Sequence, residues 1–294
     1  MVQRDKHKQD PADYMDLFKP NAPWATAAAG LTAFKISTQF VLHADDEQLR
    51  AVIDGLKSRH IGLAIELGVL DGEGPGHCGF HVEGYASPAS VNAVGRKVQQ
   101  LGGQIDYVAM DEPVWFGHIF GNGAGDKVGC RYSVAEVADK VAPKITQLRQ
   151  FFPQIQIGDV EPINGKWGGP QSIADTIAFV DLLRQKTGGA PAFVHADIAW
   201  NTNWSPQLES LATQLHARGI RLGIICDGDA NVGGDAAWVA QALQRCRAIA
   251  ANGQVKPDDY IVQSWEPCLP RCCRKPIRAH SPTRPSRRAR YFIK

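Results

Sequence analysis

Acidic residues recur where short apolar runs end. Tyr-Val-Ala-Met-Asp-Glu-Pro (107–113) closes on Asp111 and Glu112, and Gln-Ile-Gly-Asp-Val-Glu-Pro (156–162) closes on Glu161. Phe-Val-His-Ala-Asp (193–197) ends on Asp197, Gly-Ile-Ile-Cys-Asp (223–227) on Asp227, and Tyr-Ile-Val-Gln-Ser-Trp-Glu-Pro (260–267) on Glu266. After Glu112, Glu161 and Glu266 a proline follows that cannot continue a ladder, and each of the five apolar runs reads as a strand that stops at a carboxylate. If these strand ends converge, their acids share one cleft. Crowded carboxyl groups push one another toward the protonated form, which lets one donate a proton while another stays charged. Splitting a glycosidic bond needs that pairing: a proton donor for the leaving oxygen and a nucleophile or base on the other side.

The elements that would position these acids alternate regularly. The pattern predicts strands over 34–41, 61–68, 107–111, 155–160, 193–198, 222–226 and 260–265, with helices over 45–59, 87–101, 133–152, 172–186, 205–218 and 235–251 between them. Leu49, Val52, Ile53 and Leu56 make one helical face, and Val134, Val137, Val141, Ile145 and Leu148 another. Alternating strands and helices imply parallel pairing through crossovers. Long polar loops follow most strands, at 69–85 and from 112 to about 132. That favours a (β/α)8 TIM-type barrel, whose site gathers loops from many strands, over an open doubly wound sheet with one crevice. Seven strands leave such a barrel one short, and the expectation is that the first is missing at the amino end.

A chain of 294 residues with 44% hydrophobic content can bury one large core. The expected organisation is a polar segment over 1–22, a catalytic barrel over 23–267, and a tail over 268–294. The tail holds nine of the 32 basic residues and none of the 30 acidic ones. It has no periodicity and reads as a disordered or frame-shifted segment, and no nucleic-acid motif accompanies it. No apolar run is long enough for a membrane span. Neither nucleic acid nor membrane is therefore an expected partner. Among seven cysteines, Cys226 and Cys246 read as small buried hydrophobes. Cys78 and Cys130 sit in loops after neighbouring strands and read either as a disulfide or as two free thiols. A bridge there would mean a secreted or periplasmic protein.

Asp111-Glu112-Pro113 resembles the Asn-Glu-Pro that closes strand four in the large clan of retaining (β/α)8 glycoside hydrolases. With a first strand missing, Glu112 falls on strand four. The resemblance implies a glycosidase acting on an oligo- or polysaccharide without a cofactor, with Glu112 as acid/base. It leaves the partner carboxylate open among Asp227, Glu266 and Glu161. Asp111 replaces the clan's asparagine, and the clan's glutamate of strand seven has Asp227 in its place. Expected substrate contacts are Asp111, Trp115, His118, His195, Asp197, Trp200 and Trp265, whose aromatic members suit sugar stacking.

Two other readings stand beside this one. A metal-dependent sugar isomerase or epimerase barrel would use Glu112, Glu161, His195, Asp197 and Asp227 as oxygen and imidazole ligands. A non-catalytic carbohydrate-binding barrel would keep the tryptophans without needing Glu112. Glu66 reads as the structural partner of Lys35 on the adjacent strand. No Gly-x-Ser-x-Gly elbow, Walker A loop or Gly-x-Gly-x-x-Gly fingerprint follows a strand, which sets aside serine hydrolase, nucleotide hydrolase and Rossmann readings.

Overall fold

The computed structural model describes residues 13–123, 125–163, 169–229 and 232–264. Seven parallel strands form one sheet: β1 (Ala33–Ser37), β2 (Gly62–Leu67), β5 (Tyr107–Asp111), β6 (Gln156–Pro162), β7 (Phe193–Asp197), β8 (Arg221–Cys226) and β9 (Asp259–Val262), hydrogen-bonded in that order. The intervening labels, β3 (Leu70–Asp71) and β4 (Tyr85–Ala86), form a separate short parallel pair inside the 69–85 loop. The sheet curls into a partial barrel with helices between its strands, as parallel strands require. Its inner and outer faces follow the period-two alternation of strand side chains.

One apolar layer fills the inside: Ala33, Ala64, Ala109, Val160, Phe193, Ile225 and Ile261, one from each strand of the sheet. Small residues on three adjacent strands face large ones across the interior, so the layer packs without a pore. The outer face carries two larger clusters. One joins β1, β2 and β5 to the early helices through residues such as Ile65, Val108, Met110, Val141 and Leu148. The other joins β7 and β8 to the later helices through Val194, Leu222, Ile224, Leu208 and Leu211.

Local chemistry sets the element boundaries. Ser133 Oγ accepts the Glu136 amide at 3.2 Å while Glu136 Oε2 accepts the Ser133 amide at 2.7 Å, a capping box that starts the helix Val134–Phe151. The strand expected over 34–41 is shorter than that, because Ser37 Oγ accepts the Phe40 amide at 3.2 Å and begins a helix, Thr38–His43. The alternation of Thr38, Gln39 and Phe40 looks extended by sequence, but the cap satisfies an amide that a strand would leave to the ladder. Within the polar segment expected over 1–22, Asp13–Phe18 forms a short 3-10 helix in which Leu17 is buried, and Phe18 meets Trp24 and Phe34 edge-on at 5.9 and 5.5 Å. The basic tail over 268–294 lies outside the described residues.

Cys226 and Cys246 are bonded to each other, which corrects the expectation of two buried thiols. Cys226 ends β8 and Cys246 lies on the helix Asp235–Asn252 that covers it, a juxtaposition that no spacing along the chain reveals. Cys78 and Cys130 form a second disulfide, tying the loop after β2 to the loop after β5.

Candidate active site

Inward-facing residues can be read from the register. Val160 lies in the inner layer, so Glu161 and Asp159 on the same strand face outward, toward the helices. Phe193 is inward, so His195 and Asp197 are inward too, rising toward the carboxyl end of β7. The ring of His195 stacks on Phe193 at 4.4 Å, and an added Cβ on Gly223 would meet His195 Cδ2 at 2.4 Å. Glycine at 223 thus makes room for a fully buried imidazole. Burial and the nearby Lys35 and Arg221 cations hold His195 well below the usual histidine range, in its neutral form.

Glu112 stands one residue past β5 with a backbone φ of 47°. A left-handed conformation costs a residue with a Cβ about 1–2 kcal/mol, and such costs persist where the surroundings over-determine them. Here the determinant is Glu161. Its Oε1 accepts the Val114 amide at 2.6 Å and its Oε2 accepts the Trp115 amide at 2.9 Å. Those amides open a π-helical turn, Trp115–Ile119, immediately after Glu112 and Pro113. Both oxygens of Glu161 are thus committed to the backbone, and the residue is 2% exposed on the outer face.

Burial is the largest influence on Glu112 and holds its carboxyl well above the usual range. Asp197, Glu161, Asp111 and Glu83 add to the rise in that order. Asp197 is pushed up to about 7 by burial and by Asp227, with Lys35 pulling the other way. Asp227 is pushed up to about 6 by burial, against the Arg245 cation. Arg245 binds Asp227 Oδ1 at 3.0 Å and Asp227 O at 2.9 Å, and it also bonds Asp229 Oδ1 at 2.5 Å. Its guanidinium sits 5.4 Å from the Trp200 ring centre.

The structure therefore brings Glu112, Asp111, Asp197 and Asp227 to the carboxyl-end mouth, and it takes Glu161 away to a clamp on the outer face. Of the expected aromatic contacts, Trp115 is largely buried, at 9% exposed. Trp200 is half-buried, edge-on to Trp204 at 5.7 Å. His118 Nδ1 lies 2.5 Å from the Tyr132 carbonyl and its Nε2 lies 3.7 Å from Asp175, so it braces the π-helical turn. Trp265 and Glu266 fall outside the described residues. Glu66 pairs with Lys35 as expected.

Sequence reasoning did not find Glu83, Asp159 or Arg245. Glu83 reaches the site because Gly84, at φ +80°, lies against it: an added Cβ there would stand 2.8 Å from the Asp111 carbonyl and 3.0 Å from the Phe116 ring. The only signal for Glu83 was the length and glycine content of its loop. Asp159 is fully buried, and among the described residues neither carboxyl oxygen has a side-chain hydrogen-bond partner; burial, with the nearby Glu112 charge, holds it well above the usual range. Among the described residues no group of three or more His, Cys, Asp or Glu side chains is arranged to hold a metal ion. The five ligands of the metal reading are split between the two faces of the sheet, with Glu161 outside and His195, Asp197 and Asp227 inside.

No family model matches the chain, and no curated protein sequence does. Among solved structures, a mannotriose complex of Thermomonospora fusca β-mannanase aligns over 86% of this chain and 74% of its own. The identity is 12% and the TM-score 0.52. The fold is a TIM-type barrel. A cellobiohydrolase II (Cel6A) from Humicola insolens aligns over 76% of this chain and 73% of its own, at 12% identity and a TM-score of 0.47. Morphinone reductase aligns over 90% and 82%, at 13% identity and 0.48. At these identities the likeness is of fold alone. Any activity must be argued from the mouth.

Proposed function

We propose that this chain is a glycoside hydrolase that cleaves O-glycosidic bonds of an oligo- or polysaccharide. Glu112 would be the proton donor and Asp197 the second carboxylate. The observation that carries this reading is the environment of Glu112, a carboxyl group at a strand end whose strongest charged neighbours are all acids. Burial among acids favours the protonated form of such a group, which can give its proton to a leaving oxygen. Asp197 differs because the Lys35 cation bears on it and favours its ionised form. It then serves as nucleophile or as base toward water. Asp227 is engaged by Arg245 and is better suited to orienting Trp200 and the mouth than to attack. Asp111 beside Glu112 and the partly exposed edge of Trp200 are the nearest groups for sugar hydroxyls and a sugar face. The two disulfides favour an oxidising, extracytoplasmic setting, in which a polysaccharide substrate is accessible.

The test is turnover of a panel of aryl glycosides and polysaccharides, mannan among them, by the wild type and Glu112→Gln, with and without EDTA. Turnover that persists in EDTA and falls at least about 10²-fold in the variant supports the reading. Turnover abolished by EDTA favours the metal-dependent barrel. Carbohydrate binding without turnover, unaffected by Glu112→Gln, favours the binding protein.

A further inference from the structure

Directly beneath the acids of the mouth lies a polar layer that a stable barrel does not need. Lys35 on β1 is 1% exposed, and its ammonium is paired with Glu66 Oε2 on β2. The same oxygen accepts Gln263 Nε2 at 3.1 Å, from the segment just after β9. Thr38 Oγ1 fixes the strand end by donating to the Glu66 carbonyl at 2.7 Å. The network therefore links the two edges of the curled sheet across its interior. The layer below it is filled by alanine, valine, isoleucine and phenylalanine, so apolar filling is available to this fold. Exchanging a buried ion pair for such residues is commonly neutral or stabilising, so stability alone gives no reason for a buried lysine here.

Its position gives a reason. Strand alternation turns Lys35 and Glu66 inward one step above the apolar layer and Asp197 inward two steps above it; the charges that bear on Asp197 are Asp227 just after β8, Lys35 from β1, Glu66 from β2, and Glu83 from the loop after β2. Glu112 adds its own influence from the end of β5. Lys35 is the cation in that set. The charged groups that bear most on Glu112 are Asp197, Glu161, Asp111 and Glu83, with no cation among them.

We infer that Lys35 is a positioning residue: its ammonium, held in place by Glu66 and Gln263, supplies the positive charge that Asp197 faces and so divides the two carboxyl roles between Asp197 and Glu112. Lys35 touches no substrate in this scheme and acts through Asp197. Glu66 has the opposite sign of effect on Asp197, and it tempers the cation as well as holding it. The catalytic consequence rests on the glycosidase reading. The charge effect on Asp197 does not.

The experiment follows the Asp197 carboxyl by carbon NMR titration in the full chain, alongside the pH profile of kcat/KM, for the wild type, Lys35→Met and Glu66→Gln. The wild-type midpoint is expected near 7. Lys35→Met should raise it by about 1 pH unit and Glu66→Gln should lower it by a similar amount. The acidic limb of kcat/KM should follow in both directions, while the basic limb set by Glu112 stays in place. A purely structural pair would lower Tm without moving the midpoint in opposite directions. A midpoint that stays fixed, or moves the same way in both variants, overturns the inference. If Lys35→Met does not fold, the downward shift in Glu66→Gln decides alone, because glutamine keeps an oxygen for Gln263 to donate to. Opposite midpoint shifts in a protein without glycosidase turnover would sink the proposed reaction and leave the charge device standing. Turnover dependent on Glu112 with an unmoved midpoint would do the reverse.

Discussion

Glu161 holds Trp115 by its amide, at 2.9 Å, and Val114 by another, at 2.6 Å, so the strand beside Glu112 grips the chain just beyond it. A carboxyl group with both oxygens on backbone amides is a bidentate contact, and removing it leaves two buried donors unsatisfied. Glu161→Ala should destabilise the protein by about 2–4 kcal/mol in chemical denaturation. It should also lower kcat by on the order of 10²-fold, because misplacing a reacting group by about 1 Å has that cost. Glu161→Gln keeps one acceptor and should recover part of both losses. Equal kcat in the wild type and the alanine variant would show that Glu112 finds its pose without the clamp.

Stability should fall as pH rises through neutrality. Glu112, Asp159, Glu161, Asp197 and Asp227 all have carboxyl groups raised in the folded state above the range of an unfolded chain, Asp197 to about 7 and Asp227 to about 6. The folded protein therefore binds more protons than the unfolded one, and this contribution is complete below about pH 4 and is lost as each folded value is passed. His195, held neutral, works against this below about pH 6.5, but one imidazole opposes five carboxyls. Thermal melting across pH 5 to 8 is expected to give its highest Tm on the acidic side. A Tm that climbs steadily toward pH 8 would contradict the assignment of buried, protonated acids.

The Cys78–Cys130 bridge closes a long loop, the two cysteines being 52 residues apart. Chain-entropy reasoning gives such a bridge about 2–4 kcal/mol of stability. It also tethers the segment in which Gly84 lies against Asp111. Changing both cysteines to serine should lower the denaturation midpoint and reduce kcat/KM, with Cys226–Cys246 left intact. Unchanged kcat/KM in that folded variant would mean that the loop is placed by packing alone.

Much of this architecture was legible in the chain. Strand and helix periods and glycine and proline punctuation are local, and they predicted seven strands, the intervening helices and the acids at the strand ends. The two-stranded pair at 70–71 and 85–86 and the π-helical turn at 115–119 were not legible, because neither leaves a hydrophobic period long enough to read. The Cys226–Cys246 bond needed a strand and its covering helix in place.

By itself the sequence determined that carboxylates would cluster at one end of a parallel barrel, since strand identity and the residue after each strand are written locally. Only the tertiary structure decided which of them meet. Glu161 and Asp197 both close strands, yet alternation in register sends one outward to bind amides and the other inward to the mouth. Glu112 escapes alternation through its positive φ, which the clamp from β6 enforces. Glu66 and Gln263, 197 residues apart, meet because the sheet curls. Side-chain facing and long-range contact depend on pairing and curvature, which are properties of neighbouring strands and not of any one segment.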